Sequence, residues 1–407
     1  VFDDYRGIPR EAMFLVYATM LPSLAFGMFY TDVSYFLSSV QGIDMVYVGV
    51  LIMVMGLSSV AFSIPLGIVS DRYGRRKMLI LGNVAESLII AFFALTKDPV
   101  LLMGIAVLAG LGEGGFAASS SALLADKAGD VKRTAAFSLF GFVSSVAFGL
   151  GGFAIPAVSV FELFGFSNQD AHIVLYIILA ALSLASTVFI LMVKEARPER
   201  KEEGGIRAYL PKKSMGVLKK YTLTGFIIAF GAGLFVPIMT KWFDYAYGIP
   251  DVVSGPVLGV SNILIGVTTL AAPLLARRLG IIKAIVTTQA FSTIFMLATP
   301  LASNFYVASG AYTVRTFLMN MAMPLEQSML MGIVAKDERG AASGISSALW
   351  RLPNAASTGI GGWLMAIGLL AMPFYLATAL YAVSILLFWT FFRRIRLPEE
   401  TVYESGP

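Results

Sequence analysis

Asp32, Glu86, Glu113, Arg315, Glu326 and Arg351 stand inside long apolar runs of a 407-residue chain. A charge at the centre of a membrane-spanning helix costs roughly 2.5–3.5 kcal/mol on insertion scales, so such a group normally faces a cavity or a partner. Carboxylates there can take up and release protons, and arginines can hold a carboxylate or phosphate. Glu113 has small residues on its helical face, Ala106, Ala109, Gly110, Ala117 and Ser120. They leave room for water, a solute or a close helix contact. Glu113 therefore suits a proton carrier or, equally, a carboxylate pinned to a neighbouring helix. Asp32 shares its face with Met28, Phe29, Tyr35 and Phe36. That setting fits a cation site or a carboxylate reaching for the membrane surface. Arg315 and Glu326 fall on one face of a single helix and are expected to share one cavity, with Pro324 loosening the backbone beside Glu326. Arg351 lies on a polar face with Ser347, Asn354 and Thr358, beside Pro353, and suits a helix–helix tie as well as a solute contact. Glu86, with Asn83 one turn earlier, reads as a local polar contact.

The elements that carry these residues follow from composition. The chain is 57% hydrophobic and 14% charged, well below the roughly 25% charged of soluble domains. Thr134–Phe161, Ala171–Val193, Met45–Ser70 and Leu352–Phe392 contain no Asp, Glu, Lys or Arg. With about 20 residues needed per crossing, the first three accommodate one span each and the last two. Spans are predicted near 12–37, 44–70, 77–96, 99–125, 134–160, 172–194, 218–246, 252–276, 282–302, 304–334, 340–367 and 371–392. The turn signals Thr96–Pro99, Gly248–Pro250 and Gly368–Pro373 separate pairs of them. With the N-terminus inside, 26 of the 30 lysines and arginines fall in inside segments, so both termini are expected to be cytoplasmic. The charged opening Val1–Glu11 and the long first apolar run argue against a cleavable signal peptide. The segment 194–217 is expected to be a charged cytoplasmic linker between bundles at 1–193 and 218–407.

A charged turn repeats at half the chain length. Gly67-Ile-Val-Ser-Asp71-Arg72-Tyr-Gly74-Arg75-Arg76-Lys77 returns, worn, as Pro273-Leu-Leu-Ala-Arg277-Arg278-Leu-Gly280-Ile-Ile-Lys283, with Arg72, Gly74 and Lys77 on Arg278, Gly280 and Lys283. Such a duplication marks paired membrane bundles. The first copy resembles the G-x-x-x-D-R-x-G-R-[RK]-[RK] motif of the major facilitator superfamily, and the resemblance covers the whole chain. It implies an all-α integral membrane protein of twelve helices in two pseudo-symmetric six-helix bundles, acting as a secondary transporter by alternating access. It implies helices 1, 4, 7 and 10 around the cavity, hence Glu113, Glu326 and Asp32 as proton-coupling candidates. Asp32, Tyr35, Glu113, Arg315, Asn320, Glu326 and Arg351 become the substrate-binding candidates. It implies a conformational latch of Gly67, Asp71, Arg72, Gly74, Arg75 and Arg133, in which Asp71 bonds toward the start of helix 11 and Arg133.

The drug-antiporter branch of this family carries a glycine-rich motif ending Gly-Pro-x-x-Gly-Gly on helix 5. Here Ala147-Phe-Gly149-Leu-Gly151-Gly152 keeps the glycine pair without the proline, and the branch's helix 4 arginine is not evident. The expectation is proton-coupled export of small amphipathic or drug-like compounds at the plasma membrane of a prokaryote, by a monomer in the lipid bilayer. The alternative is proton-coupled symport of an organic anion or sugar through Arg315 and Arg351. The proton gradient would be the energy source, with no cofactor.

Other chemistry lacks its residues. Cysteine is absent, and the single histidine, His172, rules out paired-histidine metal motifs, so no metal site is expected. Gly110-x-Gly112-x-x-Gly115 matches a dinucleotide fingerprint formally but follows no strand, so helix packing is the expected role. No Walker loop or nucleophile elbow is present, and the basic residues flank membrane spans, which leaves no support for an enzyme or for nucleic-acid binding.

Overall fold

The computed structural model describes residues 7–194, 213–335 and 339–394, with the backbone alone at some positions inside helices. Most of the expected linker, 195–212, lies outside the described residues. Among the described residues every regular element is helical. The first part holds α1 (Arg10–Tyr35, continued by a wider turn at Phe36–Val40), α2 (Met45–Tyr73), α3 (Arg75–Leu95), α4 (Pro99–Gly152), α5 (Ala157–Leu163), α6 (Asn168–Ala185) and α7 (Thr187–Leu191). The second holds α8 (Met215–Gly233), α9 (Met239–Tyr247), α10 (Asp251–Leu279), α11 (Ile281–Leu301), α12 (Phe305–Ile333), α13 (Arg339–Ala366) and α14 (Met372–Phe392). Nine stretches among the described residues are long and apolar enough to cross a bilayer.

The duplicated turn is structural as well as sequential. Gly74, at φ +107°, joins the 29 residues of α2 to the 21 of α3, and Gly280, at φ +79°, joins the 29 of α10 to the 21 of α11. A side chain at either φ would be strained, which explains why glycine stands in both copies.

Helical backbone continues from Pro99 to Gly152 with no break at 126–133, where a loop was expected. The stretch Asp126–Arg133 contains no proline, so its charges alone do not interrupt the helical hydrogen bonding. A straight helix of that length would run about 80 Å. Yet the Tyr47 hydroxyl bonds the Pro99 carbonyl at one end, and Gly151 lies against Met28 at the other. Met28 and Tyr47 are 19 residues apart, much of it helix, and span at most about 45 Å. The chain therefore doubles back within α4. Its first limb follows α2, with Gly114 against Ser59 and Ser119 bonded to Ser70. Its second follows α1, with Lys127 paired to Glu11 and Ser144 to Thr19. The two expected spans are both present, joined by helical turns.

Helix 7 departs the other way. Its expected uninterrupted run, 218–246, is α8, a 3₁₀ turn at Val236–Ile238, and α9. Pro237 has no amide hydrogen to continue the ladder. Pro324 and Pro353, by contrast, sit within continuous α12 and α13.

The chain divides into two compact units, one of Val1–Arg200 with Pro237–Ile263 and one of Lys201–Val236 with Leu264–Pro407. In the first, Leu15, Leu79, Leu123, Leu124, Ile190 and Val193 form an apolar core. The segment Pro237–Ile263 belongs to it through close backbone packing: Gly149 and Gly152 of α4 meet Gly259 and Gly255 of α10. This contact, with Gly151 on α1, is what the glycine pair of 147–152 provides. In the second unit, Leu218, Ile285, Leu325, Met329, Phe388 and Phe392 form the core. There α8 meets α13 at glycine, with Gly233 against Asn354 and Ser357, and Gly361 against Leu234.

Candidate functional site

Asp32 is wholly buried rather than reaching for a surface. α1 brings it against α6, where Tyr176 donates from its hydroxyl to Asp32 Oδ2 at 3.0 Å, while Oδ1 has no hydrogen-bond partner. One turn before Tyr176 on the same face is His172, also wholly buried. Its Nδ1 lies 2.8 Å from the Asn168 carbonyl, which can only accept, so Nδ1 carries a hydrogen. Its Nε2 lies 2.8 Å from Oδ2 of Asp251, in the first turn of α10 and 1% exposed. One proton must therefore lie in that second bond, whether on nitrogen or on oxygen. One side-chain nitrogen or oxygen from each of Asp32, His172 and Asp251 lies within 4.8 Å of the other two.

The surroundings are apolar and aromatic. Phe36 stacks on His172 with centroids 5.5 Å apart and packs on Tyr176 at 4.9 Å, and Phe29 meets Tyr176 edge-on at 6.2 Å. Local sequence sets the frame: Ser167 caps α6 through the Asp170 amide, and Asp251 sits where the α10 dipole favours an acid. Two carboxylates around one imidazole leave the cluster negative unless it gains a further proton or a cation, and buried charge of that kind is costly.

The same unit holds a second polar cluster. Lys241 of α9, 4% exposed, donates to Ser39 and to Asp244 Oδ2 (2.6 Å), and Ser39 donates to Asp244 at 2.7 Å. The Lys241 ammonium lies 4.1 Å from the Tyr245 ring centroid and 5.9 Å from that of Tyr35. Tyr35 thus already faces a cation belonging to the chain. Thr240 bonds the Thr31 carbonyl, so α9 is tied to the end of α1 that carries Asp32.

Glu113 is half-buried, and its small neighbours serve helix contact: Gly110 and Gly114 lie against Ser58, Ser59 and Ser63 of α2. Gly110–Gly115 therefore packs helices, as expected. Glu86 is close enough to Glu113 for their charges to interact, rather than sharing a contact with Asn83. Asn83 instead donates to Ser183, Ser186 and Thr187.

In the second unit, Arg315 is 4% exposed. Its Nη2 donates to Tyr381 at 2.5 Å, and its guanidinium lies 5.0 Å from the Phe235 centroid and 5.6 Å from that of Tyr381. Its Nε has no partner. Glu326 takes a 2.5 Å bond from Gln289 of α11. The shared face of α12 therefore does not bring Arg315 and Glu326 to one set of partners, because eleven residues of rise separates them by three turns. Asn320 donates back to the Thr316 carbonyl of its own helix. Arg351 is exposed, and the tie from its polar face to α8 is made by Asn354, which donates to the Ala229 carbonyl at 3.3 Å.

Of the latch, the side chains of Gly67, Asp71, Arg72 and Arg133 lie outside the described residues. Gly74 makes the turn, its amide on the Ser70 carbonyl, and Arg75 pairs with Asp126.

Sequence reasoning misses His172 and Asp251 as site residues. The available signal is a histidine and a tyrosine at helical spacing within Ala171–Val193, a stretch with no Asp, Glu, Lys or Arg. Asp251 directly follows the turn that splits helices 7 and 8, where an acid is unremarkable.

The Major Facilitator Superfamily profile matches residues 15–319 and again 221–406. The inner membrane transport protein YajR of Escherichia coli is 28% identical over 178 residues, 43% of this chain and 37% of YajR. The multi-drug resistance efflux pump PmrA of Streptococcus pneumoniae is 28% identical over 208 residues, 48% of each chain. The chain thus spans half or less of the length of these curated relatives. Among solved structures, the nucleoside transporter NupG superposes at a TM-score of 0.73 with 15% identity, over 95% of this chain and all of that one. A bacterial homologue of the human lysosomal transporter Spinster gives 0.75 with 12% identity, over 94% and 96%. The chain, with nine stretches among its described residues long and apolar enough to cross a bilayer, belongs to the Major Facilitator Superfamily.

Proposed function

We propose that this protein is a secondary transporter that exchanges protons for small amphipathic or drug-like compounds and exports them by alternating access. The halves would be 1–193 and 218–407, joined by 194–217, with both termini cytoplasmic in the plasma membrane of a prokaryote and the proton gradient as sole energy source. The observation that carries this reading is Asp32. It is wholly buried, with one carboxylate oxygen unpartnered beside two further groups that already share a proton. A proton or a cationic substrate can neutralise it, and competition between the two is the simplest coupling. The likeness to the efflux pump PmrA supports the direction. Glu113 and Glu326 remain candidate carriers.

The test is an imposed pH gradient across proteoliposomes of the purified chain. Tetraphenylphosphonium should dissipate the gradient with wild type, and Asp32→Asn should abolish that response. Dissipation lost only in Glu113→Gln or Glu326→Gln would move the coupling site there. A gradient untouched by lipophilic cations would exclude the exchange.

A second reading rests on Arg315. A guanidinium buried in an aromatic cage, with an unpartnered Nε and no carboxylate pair among the described residues, suits an organic anion carried with protons. Arg315→Lys keeps the charge but loses the planar fork. On this reading, uptake of a carboxylate substrate should fall at least about tenfold, the equivalent of one 1.4 kcal/mol contact. Unchanged uptake would remove Arg315 from the site.

A further inference from the structure

We propose that the His172–Asp251 bridge is a second proton site of the transport cycle. It is filled while the first turn of α10 is seated on α1 and α6, and emptied when they part. This rests on the proton-coupled reading above, which itself needs only Asp32.

The argument starts from which bonds hold the turn. Asp251 is the buried charged group at the start of α10, and its Oδ2 is bonded to His172 Nε2. The other ring nitrogen is committed to the Asn168 carbonyl, four residues back on the same helix. That bond fixes the ring and its tautomer whatever happens at Nε2. The charged and titratable groups facing the bridge are Asp32 of α1 and Tyr176 of α6, with Tyr35 of α1 near Asp251. Asp244 and Glu162 reach Tyr35 from α9 and α5, and Asp244 is already paired with Lys241. Among the described residues no Lys or Arg is paired with Asp32 or Asp251. The bridging proton therefore supplies the positive charge that lets two carboxylates sit together.

Alternating access requires outer helix ends to separate. When Asp251 leaves while Asp32 holds its own proton or a cationic substrate, the imidazole loses its acceptor and is left facing the neutralised Asp32 and apolar rings, chiefly Phe36. A charged ring is costly there, so the proton departs to water. The ring stays neutral with Nδ1–H on Asn168, and Asp251 leaves as a solvated carboxylate. Re-seating the turn binds a proton again. The step moves one proton and no electrons, and forms no bond to substrate. His172 and Asp251 thus add one proton to the one that Asp32 exchanges.

The chain has a single histidine, which makes the site directly observable. Nitrogen-15 spectra of the purified full chain, labelled at histidine and carrying a histidine-free tag, report only His172. In wild type, Nε2 should pass from protonated to bare as pH rises across about 5–9, with Nδ1–H unchanged throughout. In Asp251→Asn, whose amide can still donate to Nε2, the ring should be neutral at a pH where wild type is protonated. A wild-type Nε2 signal that never changes over that range overturns the proposal, and so does an identical titration in the variant. In proteoliposomes, Asp251→Asn should move one proton fewer per tetraphenylphosphonium than wild type. An unchanged count overturns the proposal alone, whereas no proton movement by wild type overturns the reading beneath it as well.

Discussion

Asp32→Asn should bind lipophilic cations weakly and move no protons in exchange for them, while keeping its fold. The amide is nearly the same size as the carboxyl and can still accept from Tyr176 through its oxygen. Its NH₂ can turn toward Asp251, so the cluster gains a donor where wild type has an unpartnered oxygen. The buried charge disappears, which removes a folding penalty rather than adding one. The purified variant should therefore unfold at a temperature no lower than wild type, yet its gradient-driven response to tetraphenylphosphonium should fall to that of protein-free liposomes. Proton movement at the wild-type rate would take Asp32 out of the coupling mechanism. A variant that fails to fold would show instead that the cluster is chiefly structural. Tyr176→Phe is the milder probe of the same site. It leaves Asp32 Oδ2 without its one donor and should weaken cation binding less than Asp32→Asn does, as read by equilibrium binding of tetraphenylphosphonium.

Gly233→Ala should destabilise the protein strongly for the addition of one methyl group. A Cβ at this position would fall on the Asn354 carbonyl and the Ser357 hydroxyl of α13, and backbone cannot swing aside as a long side chain can. Overpacking of this kind costs about 1–3 kcal/mol. Gly225 lies on the same helix with nothing within 4 Å of a Cβ. Gly225→Ala should leave stability unchanged or raise it by about 0.5–1 kcal/mol, since alanine loses less backbone freedom. The difference in thermal unfolding between the two variants isolates the close contact from the loss of glycine itself. Equal stabilities would mean that α8 and α13 separate at little cost.

How far the candidate site could be read from residues differs from group to group. Asp32, Arg315 and Glu326 stood out because an ionisable residue in an apolar run is conspicuous without any knowledge of its neighbours. Their partners did not. Arg315 and Glu326 share a helical face by spacing, but a face three turns long touches different helices along its length, and Arg315 meets Tyr381 while Glu326 meets Gln289. Glu113 was set apart by its small neighbours, and Gly110 and Gly114 prove to be helix contacts with α2. Small residues create close approach, and only the partner's position says whether a solute or a helix fills the space.

The sequence by itself determined what depends on local composition and repetition. Long apolar runs must be helices, because backbone polar groups in lipid have no other partner. The glycine turn at Gly74, copied at Gly280, fixed the duplication and with it the family. Tertiary structure decided what depends on residues distant in the chain. The fold-back within α4 rests on contacts of its two limbs with α2 and α1, since the intervening residues are themselves compatible with helix. His172 met Asp251 only through the packing of α6 on the start of α10, 79 residues later in the chain. Periodicity reports which face of a helix is apolar; it carries no record of which other helix that face will meet.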